Sequence, residues 1–490
     1  MSSPAHSPEP VERAKNRAEQ EQIDATAKWP VLAFLGSGLF WLFVGGVMQL
    51  AASIQTHSPG FLAACEWFTH GRLAPAAQNA LVYGWGFNAA FAVGLWLMAR
   101  LSAAALRHGG WLLVAGKFWN VGVLLGVGGI LGGWSASYEL LEFPRFVVLL
   151  LLASYALIGV WMVTTFSVRN TENVYASQWY LFAAAFFFPW LYSIAQVMLF
   201  KAPVAGTLQA IVNAWYVDGI YALWFIPLGL AVAYYFLPKL LGRPINLYYT
   251  AALGFWWLIA VGVLLSGIRL INAPVPVWVP TLGIAASLLL VLPLIVIGLN
   301  LLGTLGRDFG KALASPTLSF VSLSVLSFLL WGGLTIVTSM RGVAAGFQFT
   351  LGPSGLDWLA LYGCFSLAAF GAANFIVPRL TGREWASPAL LKAQFWAAAL
   401  GLGLFTVASL VGGFGQGALL NNPAITSGEL SAALAPWLAA RSVALMLLLV
   451  SHLAFLLNLV WAVCPINSGK ARAAAFAPPP DLKPAAEARS

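Results

Sequence analysis

Twelve apolar stretches, each about the 20 residues a helix needs to cross a bilayer, succeed one another along this chain. They fall near residues 30–54, 76–103, 110–134, 144–167, 175–200, 209–236, 247–271, 277–302, 316–338, 356–378, 390–413 and 435–463. In lipid, backbone N–H and C=O groups must be paired within a helix or around a closed barrel. No alternating ten-residue strand pattern occurs. The expectation is an all-α membrane protein, a bundle of twelve transmembrane helices. Connections are short and leave no room for a separate soluble domain. A polar, cytoplasmic N-terminal segment is expected over residues 1–29, the membrane domain over 30–465, and a Pro/Ala-rich disordered tail over 466–490. The stretch "SSPAHSPEPVERAKNRAEQEQIDATAK" is too polar for a cleaved signal peptide.

Charge agrees with that class. Only 8% of the residues are charged, against roughly 25% in a soluble protein. With both termini cytoplasmic, 18 of the 25 Lys and Arg fall on that side, six fall opposite, and Lys117 lies within a span. That bias obeys the positive-inside rule and places the chain in a membrane such as the bacterial inner membrane. The net charge of +9 is a consequence of topology, and no nucleic-acid partner is expected. Cys65, Cys364 and Cys464 are scattered and form no CxxC or CxxCH, which argues against a disulfide framework, an iron–sulfur site and covalent haem c. Of five histidines only His452 falls in a span. There is no Walker loop, GxSxG or HExxH. The glycines of "VGVLLGVGGILGGW" follow no strand and suit close helix contact.

Charges inside apolar runs mark sites, because they are costly in lipid unless paired or wetted. "NAWYVDGIYALWFI" carries Asp218, "LLSGIRLI" carries Arg269 and "AGKFWNVG" carries Lys117. Lys117 reads either as a proton-path or anion-binding lysine or as one snorkelling to the nearby cytoplasmic boundary.

Two helix exits look alike, "YYFLPKLLGRP" and "NFIVPRLTGREW". Alone they read as two C-caps with snorkelling cations. With "INLYYTAALGFWWL", "ASPALLKAQFW", "SASYELLEFP" and "VRNTENVYASQWY", in this order and spacing, the chain resembles subunit I of the haem–copper oxidases, in the cbb3-type cytochrome c oxidase branch with its nitric oxide reductase relatives. The resemblance covers roughly residues 30–465 and implies the same twelve-helix fold. In that family, histidines from four spans hold a low-spin haem, a high-spin haem and a copper or iron ion. Here the resemblance puts Ala77 at the low-spin haem histidine, and Leu356 and Trp358 at the histidines of the two haem irons. It puts Asp218, Ile268 and Arg269 at the three copper histidines and Gly262 at the active-site tyrosine. None is a histidine, and His452 lies on a span where the family places no ligand.

The resemblance further implies that Asp218 and Arg269 project toward one point, where they can form an ion pair, with Asp357 and Trp358 filling the haem volume; the alternative is that Arg269 snorkels to the periplasmic surface and Asp218 meets water or Tyr221. Glu139 and Glu142 match carboxylates near the outer side of the haem site, where the family can carry calcium and haem propionates. In this chain a solvated cluster, or one paired with Arg145, is expected. The functional expectation is a non-catalytic scaffold or accessory subunit with no haem or copper. Its partners would be lipid and other respiratory-complex subunits, including c-type cytochromes. Two alternatives stay open. One is an active cbb3-type terminal oxidase with unorthodox ligands, using haem b and copper to reduce oxygen with electrons from cytochrome c. The other is an ion or proton transporter built on Asp218, Arg269 and Lys117.

Overall fold

A helix that is apolar on every side must be covered by protein or by lipid, and the spans of this chain divide by which of the two covers them. The computed structural model describes residues 10–306 and 309–464; the expected C-terminal tail lies outside them. Among the described residues, twelve helices are long and apolar enough to cross a bilayer. They are α1 (Pro10–His57), α2 (His70–Leu101), α3 (Gly109–Leu131), α4 (Arg145–Ser167), α5 (Ala176–Lys201), α6 (Leu208–Leu241), α7 (Tyr248–Leu270), α8 (Trp278–Leu305), α9 (Pro316–Ser339), α10 (Gly352–Thr381), α11 (Pro388–Leu420) and α12 (Ser427–Val463). No β-strand occurs among the described residues. Where it is described, the polar N-terminal segment is the first part of α1, which runs from Pro10 to His57 without a break. Asp24 there accepts hydrogen bonds from Trp96 Nε1 at 3.0 Å and Arg100 Nη1 at 3.4 Å, tying the segment to the end of α2.

Three helices form the interior. The apolar windows of α2, α6 and α10 are 100, 94 and 94% buried, whereas no other span exceeds 56%. Small residues let these three meet closely. Gly229 of α6 lies against the carbonyl oxygen of Cys364 in α10, where any Cβ would collide with backbone. Trp85 Nε1 of α2 donates to Ser366 Oγ of α10 at 2.8 Å. Each inner helix also contains a π-helical stretch, Ala80–Gly86, Ile220–Phe225 and Leu359–Ser366. Such an inserted residue re-aims the following side chains and occurs mostly at functional sites.

Aromatic rings fill the space among the inner helices and between them and the outer ones. Phe87 stacks on Trp224 with centroids 3.8 Å apart and on Trp119 at 4.9 Å. The two similar exits end alike: Gly242 and Gly382 adopt left-handed φ values of +66° and +69°, and their N–H groups donate to the carbonyls of Pro238 and Pro378.

Candidate functional site

The chain alternates direction, so α6 and α10 begin, and α7 ends, on the side opposite the start of α1. There three charges of these spans converge. Asp218 lies in the third turn of α6, Asp357 in the second turn of α10, and Arg269 in the 3-10 turn Leu265–Leu270 that closes α7. Two contacts fix that turn. A Cβ on Gly283 of α8 would fall 2.5 Å from the Ile268 nitrogen, and Gln348 Nε2 donates to the Ile268 carbonyl at 2.9 Å. With the backbone clamped from outside, the next side chain turns inward.

Arg269 joins both carboxylates. Its Nε donates to Asp218 Oδ1 at 2.8 Å, Nη2 donates to Asp357 Oδ1 at 2.7 Å, and Nη1 reaches Asp357 Oδ2 at 3.3 Å. A planar guanidinium can fork onto one carboxylate while its Nε serves another, and a lysine cannot. The side chains are 22, 13 and 18% exposed for Arg269, Asp218 and Asp357. Asp218 Oδ2 is buried with no hydrogen-bond partner.

Two cavities flank this triad. One of about 50 Å³ is lined by Asp218, Arg269, Tyr221, Gln348 and the hydroxyl residues Thr335, Thr338 and Ser339. The other, about 190 Å³, is lined by Gln78, Glu139, Ser354, Trp358 and Arg441. Asp357 and Tyr221 wall both. Arg441 of α12 lies over the Phe405 ring at 4.7 Å and donates through Nη2 to Ser354 Oγ at 3.1 Å.

The other residues singled out in the sequence lie apart from the triad or serve only as packing. Ala77 is fully buried in α2. Leu356 and Ile268 line the smaller cavity, and Trp358 packs against Phe405 with centroids 4.8 Å apart. At Gly262 a Cβ would lie 2.7 Å from Leu223 Cδ2, so no tyrosine fits there without repacking. His452 is buried and shares a hydrogen bond with Tyr362 Oη at 3.1 Å through Nε2, while its Nδ1 has no partner. Lys117 is exposed on the outside of the bundle.

The carboxylates of "SYELLEFP" depart from expectation. Glu139 accepts from Gln78 Nε2 at 3.1 Å, and Glu142 is only 8% exposed and accepts from Asn79 Nδ2 at 2.8 Å. Arg145 lies instead over the Phe200 ring at 5.5 Å. Glu142 is therefore packed under the loop rather than solvated. Burial pushes its carboxyl up to about 7, with the Asn79 hydrogen bond opposing. The folded state then holds a proton that the unfolded chain releases from about pH 4.3, so stability falls as pH rises from about 4.5 to 7. Glu142→Gln should flatten a melting-temperature profile across that range.

Haem iron requires an axial His, Cys, Met or Tyr, and copper a set of nitrogen or sulfur donors. No imidazole, thiol or thioether lines either cavity, and the phenol of Tyr221, which walls both, is a single oxygen donor that cannot serve two haem irons and a copper ion. Among the described residues no group of three or more His, Cys, Asp or Glu is placed to hold a metal ion. Sites for cofactors occupy roughly 300–1,000 Å³, more than either cavity here. The residues present do not fit a haem or a copper ion.

Comparison with known proteins decides the family. The profile described as cytochrome c and quinol oxidase polypeptide I matches residues 30–447. The chain belongs to the haem–copper oxidase subunit I family. The cbb3-type cytochrome c oxidase subunit CcoN1 of Stutzerimonas stutzeri is 25% identical over 77% of this chain and 81% of its own length. Cytochrome c oxidase subunit 1 of Rhodobacter capsulatus is 26% identical over 82% and 77%. A solved structure of a heme-copper terminal oxidase dimer aligns with TM-score 0.63 and 14% identity, covering 91% of this chain and 84% of that one, and shows the shared fold. This member of the oxidase family is an integral membrane protein with the family's twelve helices. Sequence reasoning assigned Asp357 a space-filling part and missed that it takes two of the three bonds made by Arg269. Arg441 was one of the six cations placed on the side opposite the termini, with no part in the site. The available signal for both was position: each is a lone charge in or beside an apolar run.

Proposed function

We propose that this oxidase-family chain is a non-catalytic subunit, a membrane scaffold beside electron-transferring subunits, with both termini on the cytoplasmic side of a bacterial inner membrane. The observation that carries this reading is the Asp218–Arg269–Asp357 triad. In the alignment proposed from sequence, two of its members stand at positions of copper ligands and the third stands between two haem-ligand positions. A guanidinium cannot ligate a metal, being protonated at any physiological pH. Its bonds to both carboxylates withdraw them as metal donors. Fold alone does not carry activity, and here the interior supports packing and charge pairing.

The relatives are named cytochrome c oxidase subunits, which supports partners that contain c-type haem as part of the proposal. The test is to purify the chain from its native membrane under mild detergent. It should co-elute with haem-staining c-type polypeptides. Once separated from them, it should consume oxygen with reduced cytochrome c no faster than buffer. Rapid oxygen consumption by the separated chain would contradict the reading, and elution without any partner would remove the scaffold role.

A further inference from the structure

Lys117 takes no part in the site above. It is the ninth residue of α3, counted from the end lying on the side where α1 begins, and it faces outward. Beside it a groove of about 760 Å³ opens between α1 and α3, with Phe34 and Gly116 at its base and Phe40 and Leu124 on its rim. Among the described residues, Lys117 is the only charged one lining the groove. Asn120, the amide within it, is already spent: Oδ1 accepts from Trp41 Nε1 at 2.9 Å, and Nδ2 donates to the Gly116 carbonyl at 2.8 Å and to Asn88 Oδ1 at 3.0 Å. Among the described residues no carboxylate pairs with Lys117.

An unpaired ammonium at this depth is costly unless an anion reaches it. Its aliphatic stem lets the charge rise toward the headgroup region of the nearer leaflet. A protein partner would have to bring its own carboxylate into the bilayer, which is rare. A neutral isoprenoid brings no countercharge. An anionic phospholipid supplies both an acyl chain for an apolar trough and a phosphate for the cation. We propose that the α1–α3 groove holds one anionic phospholipid of the leaflet beside the α3 start, its acyl chain along Phe34, Gly116 and Leu124 and its phosphate at Lys117.

The experiment uses the full chain. Lipids retained by the wild type, Lys117→Gln and Lys117→Arg are quantified by native mass spectrometry. The delipidated proteins are then exposed to vesicles of phosphatidylglycerol or of phosphatidylcholine. Lys117 is exposed and unpaired, so both variants should fold. The wild type and Lys117→Arg should retain one phosphatidylglycerol, with about fivefold weaker retention in Lys117→Gln, and phosphatidylcholine should be retained weakly by all three. Equal retention by wild type and Lys117→Gln, or no preference between the two lipids, would overturn the proposal. So would a photo-crosslinking residue at Val121 that captures a polypeptide or a quinone in place of phospholipid.

Discussion

Arg269→Ala is expected to destabilise the protein by about 3–5 kcal/mol, the range for removing one partner from a buried charge pair. The guanidinium makes three hydrogen bonds to two carboxylates that are each more than four-fifths buried. Without it, Asp218 and Asp357 face one another across a cavity with no cation between them. The loss comes from leaving charge buried rather than from any large net gain of the intact triad, because desolvation offsets much of the Coulomb attraction. That distinction has its own test. In an Asp218→Asn/Asp357→Asn background, Arg269→Ala should cost much less, and a double-mutant comparison of denaturation midpoints in detergent measures the coupling. Arg269→Lys should fall between, keeping the charge and losing the fork. Equal losses from Arg269→Ala in both backgrounds would show that the residue acts through packing alone.

Gly229→Val is expected to give the second large loss, about 3 kcal/mol or more, at the upper end of overpacking effects. The obstacle is the Cys364 carbonyl oxygen, part of the π-helical stretch of α10. A neighbouring side chain could rotate away from an added Cβ, but a backbone carbonyl moves only with its helix. Because α6 and α10 form two-thirds of the interior, a shift there should also disturb Asp218 and Asp357 one side further along. Gly403→Ala in α11 is the control. No atom lies within 4 Å of a Cβ at Gly403, so the substitution should stabilise slightly through helix propensity. A thermal shift of the same sign and size at both positions would refute the account of inner-helix packing.

The architecture was readable because span length is set by the bilayer and apolar composition reports it directly. The expected ranges and the observed helices differ mainly at their ends. There, polar turns extend helices such as α1 and α12 beyond the apolar window. Hydropathy did not reveal which spans are inner. The windows of α2, α6 and α10 have mean hydropathies of 1.4, 1.8 and 1.7, which overlap the 1.5 to 2.7 of the other spans, since a neighbouring helix and an acyl chain make similar demands on a side chain. Nor did any residue announce the π-helical stretches of the three inner helices, which depend on how neighbouring helices pack.

At the site, Asp218 and Arg269 stood out as charges in apolar runs. Asp357 had the same property, but its place between Leu356 and Trp358 drew attention to its neighbours. Its role depends on the rotation of α10 against α7, which one sequence does not encode locally. Glu142 was misjudged for a related reason. A loop of mixed polarity reads as solvated, whereas here the loop folds inward and Tyr83 Oη donates to the Leu140 carbonyl just ahead of the buried carboxyl.

The most direct measurement of the central claim is the iron and copper content per chain of the purified protein, recorded together with its visible spectrum. The account predicts neither metal above trace level and no Soret absorption, with the Arg269→Ala variant likewise free of metal. Haem b bound in stoichiometric amount, or one copper per chain, would contradict it.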